Sequence, residues 1–335
     1  MTAAGRGRAR RLAAVMMMAV SGAASATAQS AGAAASAAPV TFPQLLSYAA
    51  ARTLPAPLVV PYGEGAQQFG HLRLPRTPGP HPVVLFIHGG CWLSQYDIAH
   101  AAALEQALAD SGYAVWSLEY RRVGNPGGGW PGTFQDIARG ADHLRVLART
   151  HPLDLSRVIA AGHSAGGHFA LWLAARAALP ASSPLFAATP LPVGGVLALA
   201  PAPDLEGLHA AGVCGNVIEG LMGGSPAAVP ERYAQASLMQ LAPIAVPTEV
   251  VMGAADDSWR PVGEAYLRRA AERGDRRVHT VVVPGAGHFD VVAPFAPAWR
   301  EVMAGVRALL ARLGRGCAAG MGAGPAALTA RLVRG

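Results

Sequence analysis

Six short segments along the middle of the chain are apolar at almost every position. They span residues 83–87, 113–118, 158–161, 196–200, 249–252 and 279–283. Segments that are apolar throughout are typical of strands covered on both faces, as in a parallel sheet. Helical patterns at residues 101–109 and 167–178 lie between them and would supply the crossovers. The pattern predicts an α/β fold, with a mostly parallel central sheet and helices on both faces.

A G-x-S-x-G sequence at residues 162–166 follows the third of these strands and precedes the helical pattern at 167–178. A serine in this strand–turn–helix context stands on a turn so tight that its neighbours must be small. Gly162 and Gly166 provide that space. We therefore predict that Ser164 is a nucleophile rather than only a helix cap.

Two later strands end in loops that carry the partners a nucleophilic serine needs. His288 lies in a G-A-G-H-F-D loop after the last strand, where its ring could take the proton of Ser164. Asp256 and Asp257 follow the strand at 249–252, and either could orient the histidine. We favour Asp256 because it is closer to the strand end, and Asp204 is a weaker candidate for the acid.

Backbone amides are the expected donors to the oxyanion that forms when a serine attacks a carbonyl group. One is the amide after the nucleophile, that of Ala165. The H-G-G-C-W segment at residues 88–92 follows the first strand and could supply the second, from Gly90 or Cys91. We expect His88 to brace this loop by hydrogen bonding, and the Cys91 side chain to be a small buried apolar group.

These motifs together resemble those of bacterial α/β-hydrolases of the esterase/lipase group. They are H-G-G-C-W at 88–92, E-Y-R-R at 119–122, G-W-P at 129–131, G-H-S-A-G-G-H at 162–168 and G-H-F-D at 287–290. The H-G-G-x-W element is similar to that of kynurenine formamidases and feruloyl-esterase-like hydrolases, although Cys91 stands where the group often has a bulkier residue. The resemblance covers residues 83–310 and implies the α/β-hydrolase fold with a triad in the chain order Ser, Asp, His.

The two ends of the chain have a different composition from its middle. Arginines at the start, a short apolar stretch and the small residues Ala26-Thr27-Ala28 predict a signal peptide over residues 1–28. We therefore expect an exported protein, periplasmic or extracellular. An alanine-rich spacer over 29–39, a catalytic domain over 40–313 and a flexible glycine- and alanine-rich tail over 314–335 would follow.

Charge and cysteine content narrow the chemistry further. The formal net charge is +7, and all 27 basic residues are arginine. The lack of lysine excludes a Schiff-base lysine, a Ser–Lys dyad and a P-loop. The scattered arginines predict no nucleic-acid partner, and we expect no metal, no cofactor and no stable membrane span. Cys214 and Cys317 could form a disulfide in an oxidising compartment.

The leading hypothesis for function is a carboxylic ester hydrolase acting on a small-molecule ester through an acyl-serine intermediate. An amidase, a formamidase or a small peptidase with the same triad is the nearest alternative, and a non-catalytic binding protein is the contrasting class. Aromatic side chains near the motif loops predict an apolar substrate pocket. Those in the predicted pocket are Trp92, Trp130, Trp259 and Phe289.

Overall fold

The computed structural model describes residues 38–320, and of residues 315–320 it describes the helical backbone alone. The predicted signal peptide and almost all of the predicted spacer lie outside these residues. Eight strands form one sheet in the order β1-β2-β4-β3-β5-β6-β7-β8. The strands are β1 Leu58–Pro61, β2 Phe69–Arg73, β3 His81–Ile87, β4 Ala114–Leu118, β5 Leu153–His163, β6 Gly195–Leu199, β7 Thr248–Gly253 and β8 Val278–Val283.

The sheet is parallel from β4 to β8, and β2 runs antiparallel to both β1 and β4. All six predicted strands are present, and the predicted mostly parallel α/β architecture is confirmed. The prediction missed β1 and β2. Strand β1 is largely exposed, and β2 carries His71 and Arg73, so neither has the continuous apolar pattern of a strand buried on both faces.

Eleven α-helices in the described residues surround the sheet and connect its strands. They are α1 Phe42–Ala50, α2 Ala102–Asp110, α3 Gly132–Asp142, α4 Leu144–Leu147, α5 Ala165–Ala175, α6 Leu205–Ala210, α7 Val217–Met222, α8 Pro230–Ala236, α9 Leu238–Leu241, α10 Arg260–Glu272 and α11 Trp299–Gly320. Helix α11 continues beyond Leu313, the predicted end of the domain, so the first part of the predicted tail is helical. Within the described range, no helix is both long enough and apolar enough to cross a bilayer.

Two apolar layers hold the helices against the two faces of the sheet. Alternate side chains of β3 point to opposite faces, so Leu85 joins one layer and Phe86 the other. Helices α3, α5 and α10 pack in the first layer, and α2 and α11 pack in the second. Because both faces are covered, the space left for a ligand is at the carboxyl ends of the parallel strands.

Candidate active site

The turn between β5 and α5 holds Ser164 in a backbone conformation that few side chains adopt. Its φ is 55° and its ψ is −119°. A Cβ atom on Gly162 would lie 2.1 Å from the carbonyl oxygen of Gly166, and one on Gly166 would lie 2.0 Å from that of Ile87. Any larger residue at either position would force the turn open. The glycines therefore allow the turn that places Ser164 on the wall of a cavity.

His288 and Asp256 are in direct contact on the wall of the same cavity. The Nδ1 atom of His288 lies 2.7 Å from Oδ2 of Asp256, whose side chain is buried, whereas Asp257 is exposed. The pair fixes the tautomer in which Nδ1 carries the proton, so Nε2 is left as a base. The backbone amide of Trp259 donates to the other oxygen of Asp256 at 3.2 Å.

Three neighbouring rings fix the orientation of the His288 imidazole. The ring of Trp259 stacks on it at 5.3 Å with an interplanar angle of 25°. His163 and Phe289 pack against it at 4.6 Å and 5.2 Å. His163 also donates from Nε2 to the carbonyl oxygen of His288 at 2.9 Å, which joins the turn of the serine to the loop of the histidine.

His163 performs this joining role as a neutral group. Its side chain is buried, and burial lowers its pKa well below the ordinary value, with His288 and His100 acting in the same direction. A neutral ring with its proton on Nε2 donates one hydrogen bond and carries no charge that would oppose a proton on His288.

The amides of Gly90, Cys91 and Ala165 have no hydrogen-bond acceptor among residues 38–320. Gly90 and Cys91 line the cavity, and Ala165 is the first residue of α5, where amides lack an intrahelical partner. The predicted oxyanion donors therefore remain available to a ligand. Gly90 has a φ of 114°, and a Cβ there would lie 2.4 Å from Tyr96, so the loop requires glycine at this position.

A buried polar network supports this loop from behind. His88 is fully buried; its Nδ1 donates to the carbonyl oxygen of Gly89 at 2.7 Å, and the Tyr120 hydroxyl donates to the carbonyl oxygen of His88 at 2.8 Å. Arg122 donates to Nε2 of His88 at 3.2 Å and forms an ion pair with Glu119. The carbonyl group of Gly89 and the amide of Gly90 belong to one trans peptide, so they point in opposite directions. Because His88 holds the carbonyl oxygen, the Gly90 amide points away from His88.

The cavity has a volume of about 430 Å³, and most of the apolar side chains that line it are aromatic. Of the four aromatic residues predicted to form it, Trp259 and Phe289 line it. Trp92 is buried against His168, and Trp130 packs on Phe134, so the prediction was wrong for both tryptophans. Sequence reasoning missed three other lining rings, those of Phe42, Tyr96 and His100.

Cys214 forms a disulfide with Cys91, not with Cys317. The two bonded residues are 123 positions apart, with their Cα atoms at 6.2 Å. The Cys214–Cys317 bond, which the sequence left open, does not form, because sequence spacing does not show which thiols meet in space. The Cys91 side chain is therefore not the free apolar group we expected, since it ties the glycine loop after β3 to the segment between α6 and α7.

The remaining acidic candidate has a structural role. Asp204 precedes α6, and its carboxylate accepts the backbone amide of Gly207 at 2.8 Å. It therefore caps that helix. Within the described part of the chain, no three His, Cys, Asp or Glu side chains cluster as metal ligands would.

Solved structures share this architecture over most of the described chain. Esterase B from Lactobacillus rhamnosis, inhibited by a tributyrin phosphonate, superposes with a TM-score of 0.69 at 23% identity, over 84% of this chain and 96% of that one. Esterase 2 from Thermogutta terrifontis, bound to propionate, gives a TM-score of 0.60 at 18% identity, over 79% of this chain and 97% of that one. The fold is the α/β-hydrolase fold.

Within that class, the sequence profile of the BD-FAE family matches residues 72–262, and the chain belongs to this family. A probable isoprenylcysteine alpha-carbonyl methylesterase of Oryza sativa is 32% identical over 110 residues, which are 32% of this chain and 26% of that protein. Esterase LipC of Mycobacterium tuberculosis is 32% identical over 115 residues, 34% of this chain and 27% of LipC. The chain thus matches about a quarter of the length of these relatives.

Proposed function

We propose that the chain is a carboxylic ester hydrolase that acts through an acyl-serine intermediate on Ser164. The observation that carries this proposal is the meeting of three groups on one cavity wall: Ser164 on its strained turn, and His288 bonded to Asp256 at 2.7 Å. This constellation supports the assignment of Ser164 as nucleophile, His288 as base and Asp256 as orienting acid. The names of the relatives, which are a methylesterase and an esterase, favour an ester as the substrate.

In the first half of the reaction, Nε2 of His288 takes the proton of the Ser164 hydroxyl while its oxygen attacks the ester carbonyl. The amide of Ala165 and that of Gly90 or Cys91 stabilise the oxyanion of the tetrahedral intermediate. The carbon–oxygen bond of the ester then breaks, and His288 gives its proton to the departing alcohol. Asp256 stabilises the imidazolium throughout without taking its proton.

In the second half, the same residues hydrolyse the acyl-serine. His288 removes a proton from water as the water oxygen attacks the acyl carbonyl. The same backbone amides stabilise the oxyanion that forms. Collapse of this intermediate breaks the bond to Ser164, whose oxygen recovers a proton from His288. The products are one carboxylic acid and one alcohol, and the enzyme returns to its starting state.

The role of Ser164 is tested by substitution and by covalent labelling. We expect Ser164→Ala to lose roughly 10⁶-fold in kcat on p-nitrophenyl acetate, as removal of a triad serine does elsewhere. A fluorophosphonate should modify Ser164 and abolish turnover. Ser258 is exposed on the same cavity wall, so Ser258→Ala is the matched control and should keep both labelling and turnover. Near-normal turnover by a folded Ser164→Ala protein would refute the proposal.

Two adjacent aspartates allow an equally close test of the acid. Asp256→Asn should lower kcat about 10³–10⁴-fold, because an amide cannot hold the histidine tautomer that leaves Nε2 as base. Asp257→Asn changes an exposed neighbour and should leave kcat within a few-fold of the wild type. If Asp257→Asn were the more damaging change, the assignment of Asp256 would be wrong.

The same triad could also hydrolyse amides, so substrate panels must separate the two activities. Rates on p-nitrophenyl acetate, N-formylkynurenine and an aminoacyl anilide should show a marked preference for the ester. A preference for N-formylkynurenine or the anilide would instead assign a formamidase or a peptidase. If none of these substrates were turned over and the fluorophosphonate did not label Ser164, the chain would instead be a binding protein.

A further inference from the structure

The first helix contributes a side chain to the cavity wall. Phe42, at the start of α1, lines the cavity together with Tyr96, Trp259 and Phe289. Its ring lies 5.5 Å from that of Tyr96 in an edge-on arrangement and 5.6 Å from that of Phe289. Phe42 therefore contacts both Tyr96, which follows the glycine loop, and Phe289, which follows His288.

Hydrogen bonds and packing fix the position of this helix relative to the catalytic loop. The amide of Val40 donates to Oδ2 of Asp290 at 2.9 Å, and the same oxygen accepts the amide of Gly287 at 2.9 Å. Pro39 packs closely on Gly287, because a Cβ atom added to Gly287 would lie 2.6 Å from the Cβ atom of Pro39. The segment before α1 is thus bonded directly to the loop that carries His288.

Further contacts along α1 anchor its far side. Thr41 forms a capping box with Gln44, Leu45 is fully buried in the layer beneath, and the ring of Tyr48 packs on that of Phe295 at 4.1 Å. These contacts hold the helix that carries Phe42 against the rest of the domain.

The cavity wall near Phe42 carries little charge. His100 is neutral, because burial and then the neighbouring His88 lower its pKa to about 3, and the Asp256 carboxylate is paired with His288. A neutral apolar group of limited size is what such a wall accommodates. The family profile begins at residue 72, so it includes neither α1 nor Phe42.

We propose that Phe42 is a specificity-determining residue that limits the size of the substrate group bound between Tyr96 and Phe289. The inference rests on the ester hydrolase activity proposed above. Replacing the ring by a methyl group extends the cavity into the space that the ring fills. Each additional methylene that a substrate buries there raises kcat/KM by about four-fold.

The test compares wild type, Phe42→Ala and Leu46→Ala as full chains on two series of esters. One series is p-nitrophenyl esters with acyl chains from acetate to octanoate, and the other is acetates of alcohols from ethanol to octanol. Leu46 lies exposed on the same helix, so Leu46→Ala is the matched control. We expect Phe42→Ala to raise the ratio of kcat/KM for the longest to the shortest substrate roughly ten-fold or more in at least one series. The series that responds identifies the acyl or the alcohol side, and Leu46→Ala should leave both ratios unchanged.

A second variant covers the case in which Phe42→Ala does not fold. Phe42→Trp puts a larger ring in the same place and should shift the ratio in the opposite direction, toward short substrates. Ratios within about two-fold of the wild type in both series, for a folded variant, would overturn the inference, as would an equal shift in Leu46→Ala. Failure of the wild type to hydrolyse any ester would instead overturn the proposed function, so the two failures are distinguishable.

Discussion

Acidification from pH 7.5 to 5.5 should destabilise the fold, because four histidines are buried in the neutral form. Burial, followed by the nearby charge of Arg122, lowers the pKa of His88 to about 3. Burial, followed by the neighbouring His88, lowers the pKa of His100 to about 3. Burial lowers the pKa of His168 to about 4. Burial also lowers the pKa of His163 well below its ordinary value. In the unfolded chain these rings return to an ordinary value near 6.5.

The size of the effect follows from this difference. A histidine with a depressed pKa in the folded state contributes its full stability above pH 6.5, and loses it as the pH falls below that value. At pH 5.5 a free imidazole is about nine-tenths protonated, so each such histidine costs between about 1 and 2 kcal/mol relative to pH 7.5. His88, His100 and His168 together then cost about 4 kcal/mol, and His163 acts in the same direction. This is a large part of the 5–15 kcal/mol that typically separates folded from unfolded domains.

Urea unfolding followed by circular dichroism at pH 7.5, 6.5 and 5.5 measures this free energy. His168 offers a matched variant, because its Nε2 donates to the carbonyl oxygen of Ala236 at 2.9 Å and the amide of glutamine can replace that donor. Between pH 7.5 and 5.5, the free energy of unfolding of His168→Gln should fall by about 1 to 2 kcal/mol less than that of the wild type. A free energy of unfolding that is the same at all three pH values would refute the reasoning, and so would an identical pH dependence in His168→Gln.

Two further predictions concern the disulfide and the start of the chain. Because the bond ties the glycine loop to the segment before α7, Cys91→Ser with Cys214→Ser should lower the free energy of unfolding by about 3–5 kcal/mol and kcat roughly ten-fold. Urea unfolding and ester turnover would measure both effects, and full reduction of the wild type without a change in either would contradict the prediction. The predicted signal peptide implies a mature N-terminus near Thr27 or Gln29, and a disulfide accords with an oxidising compartment. Mass spectrometry of the native protein should find one of these ends, whereas an intact Met1 on cytoplasmic protein would contradict export.

The strands that could be predicted from the sequence are the six parallel ones, most of which are buried on both faces. Their continuous apolar pattern reflects the two layers that cover the sheet, as in β3 and β5. The antiparallel strand β1 is largely exposed, and alternate residues of β2 are only half-buried. Neither strand therefore has the continuous apolar pattern by which the other strands were predicted. The apolar pattern is thus informative for the parallel strands of this sheet, including the edge strand β8, and not for the two antiparallel strands.

The serine and the histidine could be predicted because the loops that hold them need glycine, and glycine leaves a visible motif. The choice between Asp256 and Asp257 could not be made in this way, because adjacent residues after a strand differ mainly in the direction of their side chains. The Cys91–Cys214 bond and the contact of Phe42 with Phe289 join parts of the chain far apart in sequence. No local pattern encodes such contacts.

The proposed selectivity residue Phe42 lies in a part of the chain that carries none of the proposed catalytic groups. The part matched by the family profile carries Ser164, Asp256 and the glycine loop, which are the proposed nucleophile, acid and oxyanion donors, and the proposed base His288 lies after it. The wall that limits the cavity is completed from outside that part, by Phe42 before it and Phe289 after it. On this proposal, relatives that keep the matched core and the histidine loop can differ in α1 and accept different esters with the same chemistry. If so, exchanging α1 between two such proteins should transfer substrate size preference while leaving the rate on the smallest ester nearly unchanged.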